Sequence, residues 1–274
     1  MCLAAFAINA SAKRPLVIAS NRDEYFDRPA LPLARWQTSA GETVISGRDV
    51  RAGGTWLGIT PAGRIGLLTN VRELKTPAAP RSRGELVMRW LQGSMNADQF
   101  ANQTDSAAYG GFNLVLGDLK TGQWRCLSNR PRAGVLQSQV MADGVYGLSN
   151  AALDTPWPKT LALKAAMLEA LKTESENPLW QALESRQRSA SGALPETDLP
   201  ADHALELSSA FVYVPERGYG TRCSTLLTID ALGLVDNQQQ WRVNVTEKTH
   251  AVGLDAMLDK DSVQTVNVSF TRQS

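Results

Sequence analysis

The stretch that decides the fold opens the chain. It reads Cys2-Leu3-Ala4-Ala5-Phe6-Ala7-Ile8, then Asn9-Ala10-Ser11, then Leu16-Val17-Ile18-Ala19 and the polar block Ser20-Asn21-Arg22-Asp23-Glu24. Two short apolar runs around a polar turn predict a β-hairpin. Pairing the runs brings the polar block back beside Cys2, so a thiol meets a carboxylate, a guanidinium and an amide in one local unit. Cys2 directly follows Met1. Removal of the methionine would leave a thiol and a free α-amine on one residue. With reference pKa values of ~8.5 for the thiol and ~7.7–8.0 for the amine, the amine can act as general base near neutral pH, the logic of N-terminal threonine nucleophiles. The competing reading of Cys2 is a small apolar strand residue, because free cysteine is among the most buried residue types.

Further along, residues 30–42 read as irregular. Thr43 to Ser46, the run after Gly53-Gly54 through Thr60, and Arg64 to Thr69 read as strands, so the first 72 residues form a β-meander with polar residues at strand ends. Lys75 to Pro80 is a Pro/Ala linker. Ser82 and Glu85 stand at capping-box spacing ahead of a helix from Glu85 to Gln92. Asn96 caps a second helix to about residue 107. Gly111 to Leu116 and Gln123 to Leu127 form a hairpin, and Val145 to Ser149 another strand. Pro158 and Pro178 open two more helices, to about Leu171 and Arg188, at the turn where a missing N–H is harmless. Residues 189–201 read as a loop. Phe211 to Val214, Leu226 to Ile229, Gln240 to Val245 and Val263 to Phe270 complete the strands. Strands, two helices, strands, two helices and strands suit antiparallel sheets with helices outside, an α+β layering. No linker is long enough to divide the chain, so residues 1–274 are expected to form a single domain.

The composition bounds the function. The chain has 274 residues, 43% hydrophobic and 20% charged, with net charge +1. Such a balance exerts no field on nucleic acid or an anionic membrane. Cys2, Cys126 and Cys223 have neither disulfide-framework nor zinc spacing, so no metal is expected and a reducing, cytoplasmic setting is. No run approaches the ~18 apolar residues of a membrane span. Ala10-Ser11-Ala12 imitates a signal cleavage site, but Lys13 and Arg14 follow the apolar run instead of preceding it. The expected partner is a small-molecule substrate or ligand. Oligomeric state is open.

Histidine-dependent catalysis is disfavoured, because His203 and His250 both read as surface residues. An N-terminal cysteine needs neither. Arg22 can tune the thiol, Asp23 can hold the amine, and Asn70 and Asn150 can donate to a developing oxyanion. Arg222 completes the set of strand-end polar groups. Each also has a bland use: Arg22 and Asp23 as a solvated pair, the asparagines as turn formers. Gly53-Gly54 lacks a phosphate-loop pattern and reads as a tight turn. Trp56 reads as core or groove wall.

Taken together, the blocks resemble the NRDE protein family, also called the transport and Golgi organisation protein 2 family. The matching motifs are Met1-Cys2, Asn21-Arg22-Asp23-Glu24, Arg28-Pro29, Gly53-Gly54-Thr55-Trp56-Leu57-Gly58, Asn70-Val71-Arg72, Ser82-Arg83-Gly84, Gly111-Phe112-Asn113, Leu148-Ser149-Asn150, Trp157-Pro158-Lys159 and Tyr219-Gly220-Thr221-Arg222. The family is similar to N-terminal-nucleophile hydrolases of the cholylglycine hydrolase and penicillin V acylase group. That likeness implies a four-layer αββα sandwich and cleavage of a non-peptide amide or thioester. It also implies catalytic roles for Cys2, Arg22, Asp23, Asn70, Asn150 and Arg222, with Asn21, Glu24, Trp56 and Arg72 against the substrate. The hydrolases space their early Arg and Asp three apart. That spacing falls here on Asn21 and Glu24, whereas Arg22 and Asp23 are adjacent. The family's links to haem movement and to acyl-CoA or lipid handling imply an alternative, a carrier with haem as cargo and no resident cofactor. No Cys-Pro haem motif is present, since Leu127 follows Cys126 and Ser224 follows Cys223.

Overall fold

A computed structural model describes residues 2–73, 79–130, 135–190, 192–197, 199–235, 238–251 and 261–271. The opening hairpin forms as predicted. Strands β1 (Cys2–Ile8) and β2 (Leu16–Tyr25) pair antiparallel, with Cys2 opposite Arg22 and Ile8 opposite Leu16. Asn9 adopts a φ of 47° in the turn between them. Beyond it come β3 (Ala30–Gln37), β4 (Thr43–Asp49), β5 (Leu57–Ile59) and β6 (Arg64–Asn70). Helices α1 (Gly84–Gln92) and α2 (Ala97–Asn102) follow, then β7 (Phe112–Asp118), β8 (Gln123–Ser128), β9 (Gln137–Val140) and β10 (Gly144–Leu148). Helices α3 (Pro158–Thr173), α4 (Asn177–Leu183) and α5 (Ala201–Glu206) precede β11 (Tyr213–Val214), β12 (Tyr219–Val235), β13 (Gln238–Thr249) and β14 (Ser262–Thr271).

The strands make two antiparallel sheets. One runs β10-β1-β2-β12-β13-β14, with β11 added on β12, and the other runs from β3 to β9 in sequence order. Side chains alternate across a strand, and β1 uses both faces. Ala4, Phe6 and Ile8 join Ile45, Ile65, Leu67 and Val243 in a core between the sheets. Leu3, Ala5 and Ala7 pack instead with Leu163, Met167 and Leu179 of α3 and α4. The outer face of the second sheet packs Leu114 and Leu116 against Leu86, Val87 and Trp90 of α1 and Phe100 of α2. The result is the expected α+β order of layers, helix, sheet, sheet, helix.

Several local expectations need correction. The first 72 residues are not one meander: β1 and β2 belong to one sheet and β3 to β6 to the other. Residues 30–37, read as irregular, form an edge strand with a register shift between Leu31 and Ala34. Pro32 sits at that shift, where a missing donor is tolerated. Strand β9 is fully exposed and has no apolar alternation to mark it. Ser82 does not cap α1. Its Arg83 N-cap position makes no side-chain cap bond, and Glu85 pairs with Arg81 instead. The capping box is on α2, between Asn96 and Gln99, and that helix ends at Asn102. Helix α4 is shorter than expected, and α5 is a helix not predicted, starting at the last residue of the segment read as a loop. The expected linker at residues 75–78 lies outside the described residues.

Candidate functional site

At one end of the sandwich the two sheets are stitched together. Thr69 Oγ1 donates to Ser149 O at 3.1 Å, and Arg72 N to Asn150 O at 2.8 Å. Beside this seam lies a cavity of about 510 Å³ that Cys2, Arg22, Asp23, Glu24, Asn70 and Arg72 help to line.

Strand pairing sets the thiol and its neighbours. Cys2 and Arg22 are register partners on β1 and β2, and paired residues share a face of the sheet. Alternation puts Glu24 on the same face. The Arg22 side chain is only 5% exposed and lies between three groups. Its Nη2 is 3.4 Å from Asp49 Oδ2 and 3.8 Å from Glu24 Oε2, and its Cζ stands 4.4 Å from the Trp56 ring centroid. Gly47 makes room for that ring, because a Cβ there would stand 2.5 Å from it. Arg28 Nε donates to Asp49 Oδ2 at 2.6 Å. Burial opposes ionisation of Asp49, but the bonds from Arg28 and the Ala52 amide hold its carboxyl below the usual range.

On the opposite face of β2, Asn21 is fully buried and donates to Leu183 O and Ala210 O at 2.8 and 2.9 Å. It anchors the helical layer and does not line the cavity, which corrects its expected place against substrate. Asp23 shares that face but sits where the cavity wraps around the end of β2. Thr221 Oγ1 donates to it at 2.7 Å. Burial pushes the Asp23 carboxyl up, opposed by the nearby Lys159 and by the Thr221 bond.

The two asparagines meet. Asn150 Nδ2 donates to Asn70 Oδ1 at 3.0 Å and to Asn70 O at 3.1 Å. This fixes the Asn70 amide with its oxygen occupied. Asn70 Nδ2 makes no hydrogen bond among the described residues. Ser149 Oγ donates to Cys2 O at 3.2 Å, which ties the first residue of β1 to the same group. Burial pushes the Cys2 thiol up, opposed in part by Arg22.

Arg222 is placed differently. The register of β12 against β2 shifts between Thr221 and Cys223, leaving Arg222 as the bulged residue. A bulge re-aims its side chain, and the Arg222 guanidinium donates to the carbonyls of Tyr25, Phe26 and Arg28 at 2.9, 3.0 and 3.2 Å. It braces the turn after β2 and is absent from the cavity wall.

Sequence reasoning missed three groups. His203, read as a surface residue, lines the cavity from α5. Its loop-like surroundings carry no periodic signal. His250, also read as a surface residue, is buried, with Nε2 2.9 Å from Ser224 Oγ and its ring against Phe211. Lys159 is buried behind Asp23 and donates to Leu207 O at 2.9 Å, and burial brings its pKa down to about 8. The Trp157-Pro158-Lys159 motif was its signal, read as a helix start and a family mark with no role for the lysine. Among the described residues no His, Cys, Asp and Glu side chains cluster to hold a metal ion, and no helix is long and apolar enough to cross a membrane.

The family model described as Transport and Golgi organisation 2 matches residues 1–250. The chain belongs to that family. A mouse Transport and Golgi organization 2 homolog is 32% identical over 274 residues, covering 94% of this chain and 93% of the mouse protein. A bovine member of the Transport and Golgi organisation 2 family is 34% identical over 233 residues, covering 80% and 84%. Among solved structures, a Caenorhabditis elegans N-acylethanolamine-hydrolyzing acid amidase ortholog superposes with a TM-score of 0.51 at 10% identity, over 82% of this chain and 92% of its own. That likeness shows the N-terminal-nucleophile hydrolase fold for this member of the family.

Proposed function

We propose that the protein is an N-terminal-cysteine hydrolase of a non-peptide amide or thioester. One juxtaposition carries this reading: Cys2 lies in register with Arg22 and shares a cavity with Asn70, whose side-chain N–H has no hydrogen-bond partner among the described residues. After removal of Met1, Cys2 Sγ attacks the carbonyl carbon and its proton passes to the α-amine of the same residue. Direct transfer to that amine suits a thiol whose burial disfavours a resting thiolate. Asn70 Nδ2 donates to the oxyanion, held in place by Asn150. The amine then protonates the leaving group, and water hydrolyses the acyl-thioester. Asp23 orients the amine, and Arg22, Glu24, Trp56 and Arg72 contact the substrate.

The test is intact mass together with kinetics on a panel of acyl amides and acyl thioesters. Met1 should be absent, Cys2→Ala should abolish turnover, and Asn70→Ala should lower kcat by about 10²-fold or more with the fold retained. Retained Met1 in an active preparation would rule out the amine as base. A second reading is favoured by Arg222, whose guanidinium is engaged by backbone carbonyls away from Cys2. On that reading the same cavity carries haem or an acyl-CoA or lipid ligand without turnover. Ligand binding unchanged in Cys2→Ala, with no hydrolysis by the parent, would select it.

A further inference from the structure

Lys159 is a buried charge that the reaction above does not use. It is 6% exposed and stands in the first turn of α3. Its ammonium group has three protons to donate. Among the described residues it makes one hydrogen bond, to Leu207 O at 2.9 Å, and no ion pair. Burying a charge without an opposite partner is costly. The first turn is also the positive end of the helix dipole, where a cation is disfavoured. Both costs fall on one residue, at a position where an apolar side chain of similar volume would incur neither.

The neighbours show what the charge serves. Lys159 lies behind Asp23 of β2. Of the two side-chain cations near that carboxyl, Lys159 and Arg72, the lysine acts on it more strongly. Cys2 of β1 faces the lysine as well, and Tyr219 of β12 faces Asp23. Asp23 lines the cavity and Lys159 does not, so the lysine acts through Asp23 instead of touching a ligand. Register supplies the other half. Cys2 pairs with Arg22 on antiparallel strands, so the nitrogen side of Cys2 leads to the level of Asp23. Thr221 Oγ1 fixes the carboxyl there, donating to Asp23 Oδ1 at 2.7 Å.

A carboxylate beside an amine has two effects. It orients the amine by accepting its N–H, and its charge favours the ammonium form, which is no base. The reactive state needs an ionised Asp23 and a neutral amine together. That group carries a net negative charge without Lys159 and none with it. We propose that Lys159 is a positioning residue for the Cys2 α-amine: its charge balances Asp23, so that Asp23 holds the amine in place while the amine stays neutral and free to take the thiol proton. This role rests on the hydrolase reading above, in which that amine is the base. The lysine remains mostly charged at neutral pH, since its pKa of about 8 lies above neutrality.

The test reads the amine directly, once intact mass has shown Met1 to be absent. In Cys2→Ala no thiol competes, and α-amine acetylation by acetic anhydride is followed against pH by peptide mass spectrometry. Adding Lys159→Gln should move the midpoint up by about one pH unit or more, and Lys159→Met should do the same. Lys159→Arg should hold it near its original value. Lys159→Gln keeps a donor for Leu207 O but loses the charge, so a merely structural lysine would leave its midpoint unmoved. An unchanged or lowered midpoint in whichever neutral variant folds, a midpoint raised as far in Lys159→Arg as in Lys159→Gln, or a retained Met1 would overturn the proposal. With Cys2 intact, Lys159→Gln should move the acid limb of kcat to higher pH and lower kcat at neutral pH about ten-fold, with KM nearly unchanged. An inert parent that still shows the acetylation shift sinks the hydrolase reading alone. An active parent without the shift sinks the role of Lys159 alone.

Discussion

Lys159 shows at the scale of one residue what burial does to a charge. Its ammonium group has a backbone carbonyl as acceptor, with Asp23 nearby and Arg72 opposing it. Desolvation wins, and the pKa falls from 10.5 to about 8. The folded state thus binds fewer protons than the unfolded state between about pH 8 and 10.5, and this group's contribution to stability rises with pH across that window. Below it the penalty is complete, of order 3 kcal/mol at most by the linkage relation. Lys159→Met removes the penalty and leaves Leu207 O without its donor. We expect the variant to gain most relative to its parent below pH 8, and the difference to shrink towards pH 10. Urea unfolding of both proteins across that range checks it, and a pH-independent difference would refute the shift. Residues of this kind mark the limit of reading a site from sequence. Cys2, Arg22, Asn70 and Arg72 were legible because they stand at strand ends beside turn signals. Asn21 was misplaced because strand alternation sends it to the other face of β2 from Arg22. Arg222 was misplaced because a bulge is a matter of pairing, which only the partner strand determines.

At the scale of elements, the approach of α1 to its own sheet depends on two adjacent glycines with different duties. Gly53 has a φ of 73° and open space around it. Gly54 has no positive φ, but a Cβ there would stand 2.5 Å from Gly84 C and 2.7 Å from Gly84 O. Backbone cannot rotate aside as a side-chain end can. Gly54→Ala should therefore push the start of α1 away from the sheet and destabilise the protein by about 2 kcal/mol or more. Gly53→Asn should cost about 1 kcal/mol or less, because asparagine tolerates the left-handed region. Thermal unfolding of the two variants measures the contrast, and equal losses would show that turn geometry, not close approach, governs both positions. The elements themselves were legible wherever period and punctuation agreed, as in β1, β2, β7 and α3. They were not where an edge strand carried few apolar residues. Strand β9 is exposed along its length, and β3 hides its alternation behind Pro32 and a register shift.

At the scale of the molecule, a periodic pattern tells which residues are buried but not which sheet a strand joins. The layer order came from the resemblance, and the division of the first 72 residues between two sheets came only from the structure. One buried carboxylate links those sheets directly. Glu247 on β13 is 2% exposed, accepts from Leu33 N of β3 at 2.7 Å, and accepts from Thr225 Oγ1 at 3.0 Å. Burial pushes its carboxyl above the ordinary 4.5, although both of these bonds favour the charged form. An acid with a raised folded-state pKa contributes most below its unfolded pKa, and the contribution is lost as pH rises through the folded value. Glu247→Gln keeps the shape and an acceptor for Leu33 N but cannot ionise, and its amide can donate to Thr225. The stability of the variant relative to its parent should therefore become more favourable between pH 4 and pH 7. Denaturant midpoints at the two pH values give the comparison, with groups common to both proteins cancelling in the difference. A variant that loses ground on going to neutral pH would mean that the ionised carboxylate, through its two bonds and the nearby Arg22, holds the sheets together more strongly than its burial opposes them.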